Sequence, residues 1–403
     1  FIKRLTGGWL NWGKIRGSYG KSGQTFTSAY LAHGLMNIMD KSFFGKTGIT
    51  TDKPVSPYLT WEKTRQYDLG LDMDMFNYRL NVKLDYYYKY TSSLIYDIPI
   101  PGSLYAFGAQ VENAMEISNE GLELELQADI LRESAVSWRM KFNMARNWNR
   151  FEKSYSGKDV VDGDGTLLVV GRPLNGLYVW AHRGYYNSDA EVPRLYKIDG
   201  QEIYFNGVAT NGISGAVGDY RLLDLDGDGN PDSYYAGSPL PLAHGGWVNE
   251  LMWKNFDLNV LVNFTIGRKM INNRMGLGFS RQSEDGHLTK LFDYRKLRPW
   301  DGVNKKPNAP AWGNSLSMNT DSAIEKVHHL ALKQITLGYN LPDRISKKAG
   351  LSGVRFFLTA ENLFYLSNYS GGNPEVVNIY TGRDNGDTYP LPRKYTLGLT
   401  LNF

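Results

Sequence analysis

The chain has 403 residues, 42% hydrophobic and 21% charged, with 45 Lys+Arg against 41 Asp+Glu, a formal charge of +4. That composition excludes a disordered chain, the even balance gives no basic footprint for nucleic acid, and the absence of Cys removes disulfides, thiolate catalysis and Cys-ligated zinc together. No apolar run approaches the roughly 18–20 residues of a membrane-spanning helix, and no signal-peptide pattern is visible at Phe1. The 43 Gly, with 10 Trp, 27 Tyr and 17 Phe, fit instead an outer-membrane β-barrel, whose polar inside masks its apolar outside.

Along the chain the dominant signal is strict alternation. Tyr67, Leu69, Leu71, Met73 and Met75 are apolar, while Asp68, Gly70, Asp72 and Asp74 between them are polar or small. A strand puts these two sets on opposite faces. Leu80, Val82, Leu84 and Tyr86 repeat the pattern, then Leu122, Leu124 and Leu126, then Trp138, Met140 and Phe142. Further on come Leu258, Val260, Val262 and Phe264, and finally Tyr395, Leu397, Leu399, Leu401 and Phe403. A helical period would scatter these residues around an axis, so they read as strands. Ten are expected, near 11–20, 61–75, 78–91, 119–130, 135–148, 244–253, 255–267, 326–340, 353–365 and 393–403. Most reach the roughly 9–11 residues of a tilted bilayer-crossing strand. In the eighth, Leu330 and Leu332 are out of phase with Ile335, Leu337 and Tyr339, which predicts a bulge.

The connections alternate in length. Short turns are expected at 76–77, 131–134, 254 and 341–352, and long loops at about 21–60, 92–118, 149–243, 268–325 and 366–392. Short turns at one rim and long loops at the other are the layout of an outer-membrane barrel. Trp9, Trp12, Tyr78, Trp148, Trp247, Trp253, Phe364 and Tyr365 fall near strand ends, where rings favour the headgroup level. Ten strands could close by themselves or form the C-terminal part of a larger barrel. In the second case the first and last must pair with strands supplied elsewhere, because an open edge in lipid is too costly.

The sharpest local motif lies in the longest loop: Asp224, Asp226, Asp228, Asn230 and Asp232, with Gly229 at the sixth position. Alternate oxygen ligands converging on one hard cation are the first part of an EF-hand calcium loop. The twelfth position is Tyr235 where a bidentate Glu would stand, and no helical pattern flanks the loop. The motif therefore reads as an Asp-rich loop able to hold Ca²⁺ with these five residues, against the alternative of a solvated turn. No catalytic or nucleotide-binding signature is present. Asp285 and His287 are the nearest thing to a dyad, and the chain is not read as an enzyme. The inward carboxylates Asp68, Asp72, Asp74, Asp85, Glu123, Glu125 and Asp129, with Lys83, Arg139 and Lys141 nearby, predict a hydrated interior.

Six segments, in order, resemble the SusC/RagA family of TonB-linked outer-membrane transporters. Trp61, Glu62, Gln66, Gly70, Leu71 and Asp72 match its "LxWExxxQxxxGLD" strand, and Asn119, Gly121 and Glu123 its "NxGxElxl" strand. Asp224, Asp226, Gly227, Asp228 and Gly229 resemble its "DxNGDG" loop, with Asp226 where Asn is usual. Leu332 to Pro342 resembles "lknitLGYxlP". Asn362 to Glu375 resembles "xNLfxxxxYxGxDPE", with Asn373 in place of Asp, and Pro390 to Phe403 resembles the terminal strand. The resemblance implies an all-β, transmembrane antiparallel barrel of 22 strands with an N-terminal plug, of which residues 1–403 would be about the last ten strands, the plug and early strands lying outside this sequence. It implies residence in the outer membrane of a Gram-negative cell envelope. It also implies import of oligosaccharides or peptides under a SusD-like surface lipoprotein lid, driven by TonB–ExbB–ExbD through the missing N-terminal part. The alternative weighed against it is a self-contained ten-stranded outer-membrane hydrolase.

Overall fold

The computed structural model describes the chain apart from residues 1–6, 26–35, 52–53, 106–107, 162–166, 193, 197–201, 205–216, 228–231, 274–297, 304–305, 312–319 and 387. It divides into two compact units, Phe1–Leu174 and Asn175–Phe403. Each is built on a sheet of long antiparallel strands, joined in sequence order as a meander. The first carries β1 (Leu10–Gln24), β2 (Glu62–Met75), β3 (Leu80–Pro99), β4 (Ala109–Leu131) and β5 (Val136–Lys153). The second carries β6 (Ala243–Trp253), β7 (Phe256–Asn272), β8 (Ile324–Asn340), β9 (Gly353–Ser367) and β10 (Lys394–Asn402). Among the described residues β1 pairs on one side only, with β2, and β10 on one side only, with β9.

The period-two pattern does what a sheet with two different environments requires. In the first unit Ile15 faces Leu71 across the ladder, Leu71 faces Leu84 and Leu84 faces Leu124, so one side of the sheet is a continuous apolar band. That band is not covered: Ile15, Leu69, Leu84 and Leu122 are all exposed. In the second unit Phe356, Leu358, Leu397 and Leu399 are likewise exposed. Large apolar patches open to water are rare in soluble monomers; here they follow the strands row by row.

Several strands run further than their alternation. β3 and β4 stay paired through Pro99 and Ala109, so most of the loop expected at 92–118 is strand and the connection shrinks to 100–108. The cause is a double register shift at Thr91/Leu94 and Leu94/Ile95, with Ser93 at φ +59°. A bulge swaps the faces, which breaks the apolar period while the hydrogen bonding continues. Glu62, of the "WE" motif, accepts from the Ile95 N–H at 3.1 Å at this irregularity. The loops expected at 21–60 and 149–243 contain short hairpins among their described residues: Met36–Phe43 with Lys46–Thr51, Leu177–Trp180 with Ser233–Gly237, and His182–Tyr185 with Tyr220–Leu222.

The bulge predicted in the eighth strand is present. Against β7, Leu261 pairs Gln334 and Val262 pairs Leu332, leaving Lys333 as the extra residue. Against β9, Leu332 pairs Phe364 and Gln334 pairs Glu361, so β9 carries an extra residue there in turn. Asn362, at φ +51°, lies in this second irregularity, and Asn is among the few residues that enter the left-handed region at small cost.

Hydrophobic cores form where strands extend past the apolar band. In the first unit Met115, Phe151, Val160 and Leu168 pack together. In the second, the end of β7 is the centre. Its ladder shifts between Thr265 and Arg268, with Gly267 at φ +71°. Beyond that bulge, Ile271 joins Leu177, Val179 and Ala236, whereas Met270 joins Val327, Tyr369 and Val377. Successive residues of one strand thus enter two cores on opposite faces.

Candidate functional site

Three polar constellations stand out. The first is the Asp-rich loop, which joins the short strands Tyr220–Leu222 and Ser233–Gly237. Asp224, Asp226 and Asp232 bring carboxylate oxygens within 4.8 Å of one another. The loop is held by its own backbone: Gly227 N–H donates to Asp224 Oδ1 at 2.6 Å, and Leu225 N–H and Asp226 N–H donate to Asp232 Oδ2 at 2.5 and 3.2 Å. Three carboxylates so close can coordinate a metal ion. Asp228 and Asn230 lie outside the described residues, as do Asp285 and His287. Tyr235, at the twelfth position, is in the strand and pairs with Tyr178.

Beside that loop, Asp321 clamps two hairpins. It bonds His182 Nδ1, and Tyr234 OH donates to its other oxygen at 3.2 Å. His182 sits edge-on to Tyr220, with ring centroids 4.7 Å apart, and the Ser322 hydroxyl donates to Tyr220 at 2.9 Å. Burial raises the pKa of Tyr220 and keeps its phenol neutral. His182 and Asp321 are 139 residues apart in sequence, so no local motif could have shown this pair.

The second constellation is the polar face of the sheets. Arg16 reaches Asp72 at 2.8 Å and Asp85 at 2.7 Å, Arg139 reaches Asp129 at 2.7 Å, and Lys83 reaches Glu125 at 3.2 Å. Arg355 reaches Asp257 at 2.5 Å. Of the carboxylates expected to face inward, Asp72, Asp85, Glu125 and Asp129 are therefore cross-linked to bases, which ties neighbouring strands, while Asp68 accepts from Ser18 and Gln66 and Asp74 from Asn81. Exposed pairs of this kind add little to stability; what they supply is a charged, wettable surface. The motif glycines make room for them. A Cβ on Gly70 would sit 2.5–2.6 Å from Asp85 Oδ1 and the Arg16 guanidinium, and on Gly338 it would run into the Asp257–Arg355 pair. At Gly121 the Tyr87 ring occupies the space, and at Gly398 the Phe357 ring. Aromatics that break the alternation, such as Tyr87, thus lie over a glycine on the polar face.

The third is a cleft of about 300 Å³ at the bulge of β8 and β9, lined in part by Lys333, Asn362, Phe364, Glu375 and Arg393. Lys333 Nζ lies 3.3 Å and His329 Nε2 3.7 Å from Glu375. His329 first, then Lys333, holds the Glu375 carboxyl below the usual carboxylate range. Asn373, where the motif has Asp, accepts from Glu375 N–H at 2.9 Å, a bond either side chain can make. Behind the cleft the loop is pinned by Arg268, whose guanidinium donates to the carbonyls of Pro374, Val377 and Asn378 at 3.2, 2.9 and 2.6 Å. Arg268 carried no signal in the sequence; Lys333 did, as the point where the apolar phase slips.

An exposed apolar face, an ion-paired polar face and strands of 9 to 23 residues define a β-sheet wall of the transmembrane barrel class. The chain belongs to the family of TonB-dependent receptor-like β-barrels, whose model matches residues 4–260, and it is an outer-membrane protein. It is 30% identical to TonB-dependent receptor P26 of Formosa agariphila, over 97% of this chain and 40% of that protein. It is 26% identical to the TonB-dependent receptor SusC of Bacteroides thetaiotaomicron, over 97% of this chain and 37% of that protein. The structure of the RagAB peptide transporter shares its fold, with a TM-score of 0.76 and 24% identity over 98% of this chain and 41% of that one. The chain spans about 40% of the length of the first of these relatives.

Proposed function

We propose that the chain forms about the last ten strands of a 22-stranded barrel that imports oligosaccharides or peptides across the outer membrane. It works with a SusD-like surface lipoprotein as lid, and TonB–ExbB–ExbD acts through an N-terminal plug outside this sequence. The observation that carries this reading is the pair of single-sided edges. β1 and β10 each have one neighbour among the described residues, and in hydrocarbon an open ladder costs several kcal/mol per unsatisfied group. Strands from the rest of the polypeptide fit both edges. A self-contained ten-stranded hydrolase gains no support from the relatives, which are receptors and a transporter. The protein's work is capture and passage with no covalent step. The polar face supplies a wet wall, and the loop cores of the second unit supply a stiff platform for a lid.

The Asp-rich loop is read as a Ca²⁺ brace for that platform, with Asp224, Asp226 and Asp232 as ligands and Asp228 and Asn230 completing the set. Hard-cation chemistry favours this all-oxygen donor set. The deciding experiment uses the full-length protein in cells: uptake of labelled oligosaccharides and peptides with and without TonB, and co-purification of a surface lipoprotein. TonB-dependent uptake of one substrate class with a co-purifying lid is expected. Uptake that persists without TonB would refute the transport reading.

A further inference from the structure

At the outer end of β1 and β2 the apolar face changes character. Reading up the ladder on that face, the cross-strand rows are Ile15–Leu71–Leu84, then Gly17–Leu69–Tyr86, then Tyr19–Tyr67–Tyr88. The next rows are Lys21–Arg65–Tyr90 and Gly23–Lys63–Ser92. Hydrocarbon-like residues give way to a row of three tyrosines and then to three cations, one row at a time. Tyr19 and Tyr67 pack with ring centroids 4.8 Å apart, and Lys21 Nζ lies over the Tyr19 ring at 6.0 Å. Trp61 closes the top: its ring would meet a Cβ on Gly23 at 3.3 Å, so it packs at a position that has no side chain.

These residues enclose a cleft of about 380 Å³, lined by Lys21, Ser22, Gly23, Thr60, Trp61, Lys63, Thr64 and Arg65. Three cations and three hydroxyl side chains line it, and no acid does. Lys21, Lys63 and Arg65 are exposed and have no carboxylate partner among the described residues. The acids nearest in register on the same face are engaged elsewhere: Glu120 accepts from Tyr86 OH at 2.9 Å, and Glu116 accepts from Tyr90 OH. Three like charges with no carboxylate partner among the described residues repel each other and suit an anion. Their place on the face that meets lipid, directly above an aromatic row, sets them at the level of the headgroups. A guanidinium with two ammonium groups suits a phosphomonoester, which Arg can grip with two parallel bonds.

The geometry points to this cleft as a binding site for the phosphate of an outer-leaflet lipid headgroup. The acyl chains lie down the Leu/Ile band of β1–β3, and the phosphate is held by Lys21, Lys63 and Arg65. The site goes beyond the transport function: it ties the wall to the membrane.

The test uses the full-length protein purified in mild detergent, with native mass spectrometry reading bound lipid. The probes are a lipid A carrying one phosphate, the same lipid dephosphorylated, and inorganic phosphate. The wild type is expected to bind the phosphorylated lipid and to lose most of that binding when the phosphate is removed. Each cation near an anionic headgroup contributes roughly fivefold in affinity, so Lys21→Gln/Lys63→Gln/Arg65→Gln should weaken binding on the order of a hundredfold. A variant on the polar face, Lys83→Gln, should leave it unchanged. Heat-modifiable migration in gels confirms that every variant is folded. Equal binding of the two lipids, equal binding by the triple variant, or saturation by inorganic phosphate alone at the same concentration would each overturn the assignment.

Discussion

Arg268→Met tests whether one buried cation holds the 366–392 loop in place. Arg268 is 5% exposed, and its guanidinium donates to three carbonyls, of Pro374, Val377 and Asn378. Met is nearly as long and fills much of the same space, but all three carbonyls lose the guanidinium. Val377 O is left bare, at about 1–3 kcal/mol, while Pro374 O and Asn378 O keep the Val377 and Gly382 N–H groups and lose about 0.5–1.5 kcal/mol each, a gross loss of about 2–6 kcal/mol. Desolvating the cation costs several kcal/mol in the folded protein, and Met removes that cost. The net is about 1.4 kcal/mol, or on the order of tenfold in the opening equilibrium of the loop. Hydrogen exchange by mass spectrometry reads it directly. Peptides covering 369–384 should exchange about tenfold faster, because Gly382 N–H bonds to Asn378 O and Ile271 N–H to Gly382 O behind the staple. Peptides covering 256–264 should be unchanged. Arg268→Lys, which keeps the charge but not the planar fork, should fall between. Exchange of 369–384 within about twofold of wild type in Arg268→Met would show that the carbonyls do not depend on the guanidinium.

Other outcomes follow from the same geometry. Because Glu375 is held below its ordinary value of 4.5 by His329 and Lys333, it contributes stability that is fully present above that value and lost as the pH falls through the folded one. The melting temperature should therefore drop as the pH falls below 4.5, and Glu375→Gln should flatten that part of the profile. Asn362→Ala should cost about 1–2 kcal/mol in denaturant unfolding, from left-handed backbone at φ +51°, and Asn362→Gly should cost less. Ca²⁺ in excess should raise the thermal stability of the wild type by up to about 2.7 kcal/mol at a hundred times its dissociation constant. Asp226→Ala should abolish that gain; an identical calcium response in the variant would dismiss the brace.

Much of the wall was legible because a strand in a bilayer obeys one rule, and Leu69, Leu71 and Met73 against Asp68, Gly70 and Asp72 state it without help from the rest of the fold. The phase slip at Leu332 revealed a bulge for the same reason. Where bulges fall close together, as at Ser93 to Ile95, the rule loses phase and strand reads as loop. The Asp-rich loop was visible as a local spacing, and three of its five residues are described and do converge. The contacts that assemble the loop platform were hidden, because they join residues far apart. Arg268 meets Val377 at a separation of 109, and His182 meets Asp321 at 139. No period or motif encodes such a meeting; only the folded backbone creates it.

The end of β7 gives the second unit a shared spine. Because Met270 and Ile271 are neighbours in one strand yet anchor opposite cores, neither lobe can slide along the strand without dragging the other. A slip of a single residue would invert both at once. The lobe carrying the acidic loop and the lobe carrying the Glu375 cleft therefore answer together to any load on that strand, as two leaves hung on the same pin.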